Sequence, residues 1–162
     1  AGSGGPSDPT NVLSHPRMTV FTSIAADPAQ SKGPALASVA AERVGIIKRD
    51  MPCICGESNP EVVKVVREKS AALGATLDLE MPILRTVGIR REEGLRDVET
   101  EEGRLYTLGL TGEPAVRSAS ILLAILKEMN LQGFDVDEGS VEKGFRQVKA
   151  SRLHEKPREP HQ

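Results

Sequence analysis

Met51-Pro52-Cys53-Ile54-Cys55-Gly56-Glu57-Ser58-Asn59-Pro60 decides the fold, because a strand and a helix start sit back to back in it. Residues 51–55 read as a short strand. Asn59-Pro60 is a helix start, with asparagine at the cap and a proline whose missing amide costs nothing in the first turn. Val62, Val63, Val66 and Leu73 then form an apolar stripe at helical spacing, and Gly74 supplies the stop. Thr76-Leu77-Asp78-Leu79 follows as another strand.

The same alternation extends upstream. Met18 to Ile24 reads as a strand, with β-branched Thr19, Val20, Thr22 and Ile24. Pro34 opens a helix that runs to about Val44 and ends at Gly45. Residues 1–11 are rich in Gly, Ser and Pro and read as a loop. Alternating strands and helices predict an α/β fold with a mostly parallel sheet flanked by helices.

Downstream, residues 76–111 hold short apolar stretches separated by charged turns, and a β-hairpin is expected around Glu101-Glu102-Gly103. Arg90-Arg91-Glu92-Glu93 and the acidic run Asp97 to Glu102 read as solvated surface, with a partner-binding face as the alternative. Two helices close the chain. Ile121, Leu122, Ile125, Leu126 and Met129 form one core-facing stripe, and Val141, Phe145 and Val148 a narrower one. The expected organisation is one domain over 1–153 and a disordered polar tail over 154–162.

Composition bounds the function. The chain has 162 residues, 38% hydrophobic and 27% charged, which suits one globular domain. Aromatic content is only 2%, so the core rests on aliphatic residues and alanine. A net charge of −2 gives no reason to expect nucleic acid or an anionic membrane. No apolar run reaches the ~20 residues that span a bilayer. Neither a secretory signal nor a transit peptide is read. Cys53 and Cys55 share a strand face, which raises a metal or redox pair. Two thiols cannot complete a four-ligand zinc site, and small buried hydrophobes are the better reading. Free thiols suit a reducing compartment, so the expected location is cytoplasmic, with an organellar matrix as the alternative. His15, His154 and His161 read as exposed loop and tail residues.

Five stretches together resemble one family. They are Gly2-Ser3-Gly4-Gly5-Pro6-Ser7-Asp8-Pro9-Thr10-Asn11, Thr22-Ser23-Ile24-Ala25-Ala26-Asp27-Pro28, Gly33 through Lys48, Gly112-Glu113-Pro114-Ala115-Val116-Arg117-Ser118-Ala119, and Val148 to Leu153. In order, they are similar to the G-x-G-G-R-x-D-A-T-N, T-S-I-G-x-D-H, G-D-T-x-E-x-I-A-x-E-K-A-G-I-I-K, G-x-H-Q-x-x-N-A and V-x-W-P-G-R-L motifs of the folylpolyglutamate synthase/dihydrofolate synthase family. These are ATP-dependent ligases of Mur-ligase-like fold. The resemblance implies the later part of their central ATPase domain. It also implies ATP and Mg²⁺ as cofactors, and folate and L-glutamate as substrates: ATP converts the folate γ-carboxylate into an acyl phosphate, which the glutamate amine attacks.

By the same resemblance, Asp27, Glu42 and Lys48 are the surviving catalytic positions, and Ser118 and Arg152 fall at nucleotide-binding ones. Gly2, Gly4, Gly5, Asp8, Thr10 and Asn11 shape the neighbouring loop. Other positions depart from the family. Pro6 replaces an arginine. Pro28 replaces a histidine that ligates magnesium, and proline has no ligand atom. Arg43 replaces a carbamylated lysine and is permanently cationic. Pro114 and Ala115 replace His-Gln, and Ser118 replaces the nucleotide-binding asparagine. No metal ligand set is therefore assigned. The chain also contains no G-x-x-x-x-G-K-S/T run to hold phosphates.

These departures lead to three expectations: a ligase-type chain inactive in isolation, a non-catalytic scaffold or subunit, or one half of a split ligase. The absent P-loop strand predicts open strand edges. These would be closed by a protein partner or by self-association.

Overall fold

The computed structural model describes residues 9–24 and 33–149, with the backbone alone at Thr10, Gly33 and Pro34. The loop expected over residues 1–8, Asp27, Pro28, Arg152 and the tail lie outside the described residues. The chain divides into two compact units, one running through Pro82 with Ser120–Phe134 added, the other Ile83–Ala119 with the residues from Asp135 on.

The first unit carries β1 (Thr19–Phe21), α1 (Gly33–Arg43), β2 (Cys53–Cys55), α2 (Pro60–Leu73) and β3 (Leu77–Asp78). The strands form a parallel sheet in the order β1-β2-β3. Thr19 stands opposite Cys53, and Cys53 opposite Leu77. All three residues of β2 are buried, as expected for the middle strand of a parallel sheet covered on both faces. β1 is shorter than the expected Met18–Ile24, because its ladder stops once the Phe21 carbonyl has accepted from Gly56 N. β3 stops at Asp78, whose side chain accepts from Glu80 N at 2.9 Å and turns the chain.

The local signals around α2 are realised. Asn59 Oδ1 accepts from Glu61 N at 2.9 Å, with Pro60 in the first turn. Gly74 ends the helix at φ 66°, and its N–H reaches Ala71 O at 3.2 Å. α1 gives way after Arg43 to a 3-10 turn over Val44–Ile46, which contains the expected stop at Gly45. Leu36, Ala40 and Val44 from this segment meet Val62 and Val66 from α2 in a core that includes Phe21, Cys53 and Cys55. Both cysteines are buried thiols, outside any disulfide. Burial, aided by Cys55 nearby, pushes the Cys53 thiol up to about 12. An un-ionised core thiol is a poor nucleophile and a poor ligand, which favours the small-hydrophobe reading.

The second unit is built on an antiparallel sheet in the order β4-β5-β6, from Leu84–Arg90, Leu95–Thr100 and Leu105–Leu108. The expected hairpin turn joins β5 to β6, with Gly103 at φ 83°. α4 (Glu138–Gln147) covers one face of the sheet. Its Phe145 meets Tyr106 edge-on at 5.3 Å, and Tyr106 Oη donates to Glu138 Oε1 at 2.8 Å. α3 (Glu113–Leu131) contributes its first residues to this unit and the remainder to the other.

The apolar stripes of both closing helices need correction. Ile121 and Ala124 are buried, but Leu122 is 39% exposed. On α4 Phe145 is buried, while Val148 lies beyond the helix and is 48% exposed. The inward line of α3 runs through alanines, Ala119 and Ala124, so the large side chains alone misplace the face.

The charged segments are also more structured than a solvated surface. Arg91, Glu92, Glu101 and Glu102 are exposed, but Asp97 organises its own network. Arg90 donates to it through Nε at 3.1 Å and Nη2 at 2.8 Å, and Thr107 Oγ1 donates at 2.7 Å. The Arg90 bonds, then that of Thr107, hold the Asp97 carboxyl below the usual carboxylate range. A depressed native pKa gives stability that is complete above the unfolded value of ~3.9 and lost as pH falls through the lower folded value. Below pH 4, wild type is therefore expected to lose stability more steeply than Asp97→Asn. Urea unfolding as a function of pH measures this, and parallel profiles would refute it.

Candidate functional site

Lys48 and Asn11 were assigned to one site by resemblance, and the structure brings them together across 37 positions of sequence. Lys48 Nζ donates to Asn11 Oδ1 at 2.6 Å and approaches Asn11 O at 3.4 Å. Asn11 lies in a 3-10 turn, Pro9–Val12, ahead of β1, and Lys48 lies between α1 and β2. Thr19, the first residue of β1, donates from Oγ1 to Ile46 O at 3.4 Å. The pair therefore sits at the edge of the sheet where β1 and β2 begin. A cavity of ≈ 160 Å³ opens there, walled by Leu13, Pro16, Met18, Val20 and Ile46, with Thr19, Asn11 and Lys48 supplying the polar groups.

Glu42 is exposed and Arg43 half-buried at the end of α1. Among the described residues, no group of three or more His, Cys, Asp or Glu could hold a metal ion. A guanidinium near that position opposes a cation, so the described residues do not fit Mg²⁺. In the second unit, Pro114, Ala115 and Ser118 fall in the first turns of α3, with Pro114 and Ser118 exposed. The Thr10 side chain is not described. Gly2, Gly4, Gly5, Pro6, Asp8, Asp27, Pro28 and Arg152 lie outside the described residues.

Two polar residues escaped the sequence reading. Glu57 stands at the opposite sheet edge, where β2 ends. Its Oε2 accepts from Ile24 N at 3.0 Å, and its Oε1 from Ser58 N at 2.8 Å and Asn59 N at 3.1 Å. One carboxylate thus ties the exit of β1 to the start of α2. Nothing local in Gly56-Glu57-Ser58 announces a bond to a residue 33 positions away. Arg96 is 5% exposed; its Nη1 donates to Thr111 O at 2.8 Å and its Nη2 pairs with Glu113, while Nε has no partner. A signal did exist for Arg96. It shares the period-2 phase of Val98, which faces the core. Together these bonds fix the turn that leads into α3.

No family model matches the chain. Curated proteins do, among them a folylpolyglutamate synthase of Lacticaseibacillus casei, 36% identical over 74 residues, 46% of this chain and 17% of that protein; and a dihydrofolate synthase/folylpolyglutamate synthase of Bacillus subtilis (strain 168), 38% identical over 69 residues, 43% of this chain and 16% of that protein. Among solved structures, folylpolyglutamate synthase of Mycobacterium tuberculosis, complexed with ADP and AMPPCP, superposes with a TM-score of 0.69 at 28% identity, over 92% of this chain and 35% of that one. The chain thus spans about a sixth of the length of these curated relatives and about a third of the solved one. The fold is a portion of the Mur-ligase-like α/β architecture. By fold and sequence together, the chain resembles a portion of the folylpolyglutamate synthase/dihydrofolate synthase proteins.

Proposed function

We propose that this chain is part of the nucleotide-handling domain of an ATP-dependent folate:L-glutamate ligase, and that alone it forms no glutamate adduct. One combined observation carries the reading. The fold matches a relative solved with ADP and AMPPCP, yet this sequence has no P-loop run to hold the phosphates. Phosphoryl transfer depends on neutralising phosphate charge, through that loop and through magnesium. Pro28 and Arg43 weaken the second of these in place of histidine and lysine. Asp27, Glu42 and Lys48 keep the family's residue types, and Ser118 and Arg152 occupy the family's nucleotide positions.

A scaffold or subunit role is the second reading, favoured by the loss at one site of several family residue types, at Pro28, Arg43, Pro114, Ala115 and Ser118. The split-ligase reading needs a partner that brings the phosphate loop.

One assay separates them. The chain is incubated with ATP, Mg²⁺, a reduced folate and labelled L-glutamate, alone and with a second polypeptide carrying the P-loop and carboxy-terminal portions of a relative. The expected result is no γ-glutamyl product from the chain alone, nor from the double variant Pro28→His, Arg43→Lys. Turnover by that variant alone would overturn the account. Product on mixing supports a ligase part, and none on mixing supports the scaffold.

A further inference from the structure

We propose that the cavity at the sheet edge where β1 and β2 begin is a binding site for a small aliphatic monocarboxylate. This goes beyond the ligase reading and does not rest on it. The observation is a cation with no counter-charge among the described residues, lining an otherwise mostly apolar hollow. Lys48 is half-buried, and its ammonium bonds Asn11 through neutral oxygens. None of the ion pairs among the described residues includes Lys48. An ammonium carries three N–H donors, and partial desolvation makes an anion a stronger partner for it than a neutral acceptor.

Size and lining select the anion. The volume of ≈ 160 Å³ holds about five or six water-sized groups at ~30 Å³ each, which suits a four-carbon acid. Nucleotides and folates need pockets several times larger. Among the described residues no carboxylate lines the cavity, so they offer no counter-ion to the ammonium group of an amino acid, L-glutamate included. The walls of Leu13, Met18, Val20 and Ile46 favour an alkyl body over a polar one. The site also lies away from Glu57, at the strand ends opposite to those where open parallel sheets bind their main ligands.

Butyrate is the probe, followed through the methyl resonances of the full chain by NMR, with butyramide as its neutral isostere and chloride as the control for ionic screening. The expected result is a saturable shift of the Leu13, Met18, Val20 and Ile46 methyls with a Kd of about 1 mM. Butyramide should bind about tenfold more weakly or worse, and Lys48→Met should abolish the response. Absence of saturable shifts up to tens of millimolar, equal response to butyramide, or equal response to chloride would each overturn the proposal. Should Lys48→Met fail to fold, the comparison of butyrate with butyramide on the unmodified chain decides the matter alone.

Discussion

Gly109→Ala is expected to destabilise the second unit by about 3 kcal/mol, the upper range for forcing atoms into a filled space. Gly109 follows β6, and its N–H donates to Phe145 O at 2.8 Å as α4 ends alongside. A β-carbon there would fall well inside van der Waals contact with the Arg146 and Val148 carbonyl oxygens. Backbone cannot rotate away as a side-chain tip can. The end of α4 must therefore move off β6, taking Phe145 from Tyr106. At about 4–8 °C per kcal/mol for a domain of this size, the melting temperature should fall by more than ~10 °C. Gly94→Ala is the control. Unlike Gly109, it sits in the left-handed region, at φ 68°, but nothing lies within 4 Å of its would-be β-carbon. Its cost is the conformational term alone, about 1 kcal/mol. Equal losses in the two variants would show that close approach at Gly109 does not constrain the fold.

Leu36→Ala should cost about 3 kcal/mol in the first unit, within the range measured for leucine deletions in filled cores. Leu36 is 1% exposed and lies among Phe21, Ala40, Val62 and Val66. With so few aromatic side chains, the chain has little bulk with which to collapse into the space left. Ser38→Ala, two residues along on the exposed side of α1, should be neutral within about 0.5 kcal/mol. Urea midpoints compare the two directly, and a Leu36→Ala loss below about 1 kcal/mol would mean that the α1–α2 contact contributes little to this core.

What was legible in the sequence was local. The cap at Asn59, the stop at Gly74 and the turn at Gly103 are each settled within a few residues of the chain, and each stands where expected. The alternation of β1, α1, β2, α2 and β3 follows from the same short-range signals. Strand lengths were harder, because Thr22 and Leu79 have strand-forming side chains but fall beyond the paired registers of β1 and β3. Arg96, Glu57 and Gly109 were missed because their roles depend on atoms distant in sequence. The Lys48–Asn11 pair entered through family resemblance; no spacing rule joins them. The cavity beside them had no sequence signal at all, because it is defined by what several separate segments leave unfilled.

The burial of Cys53 and Cys55 makes the first unit report on its own opening. Alkylation proceeds through the thiolate, and a thiol held near 12 inside the core supplies almost none at neutral pH. Modification must then wait for β2 to become exposed, so its rate follows how often that strand opens. The native chain thus carries a built-in clock for the breathing of its parallel sheet, readable by mass without a dye or an engineered label.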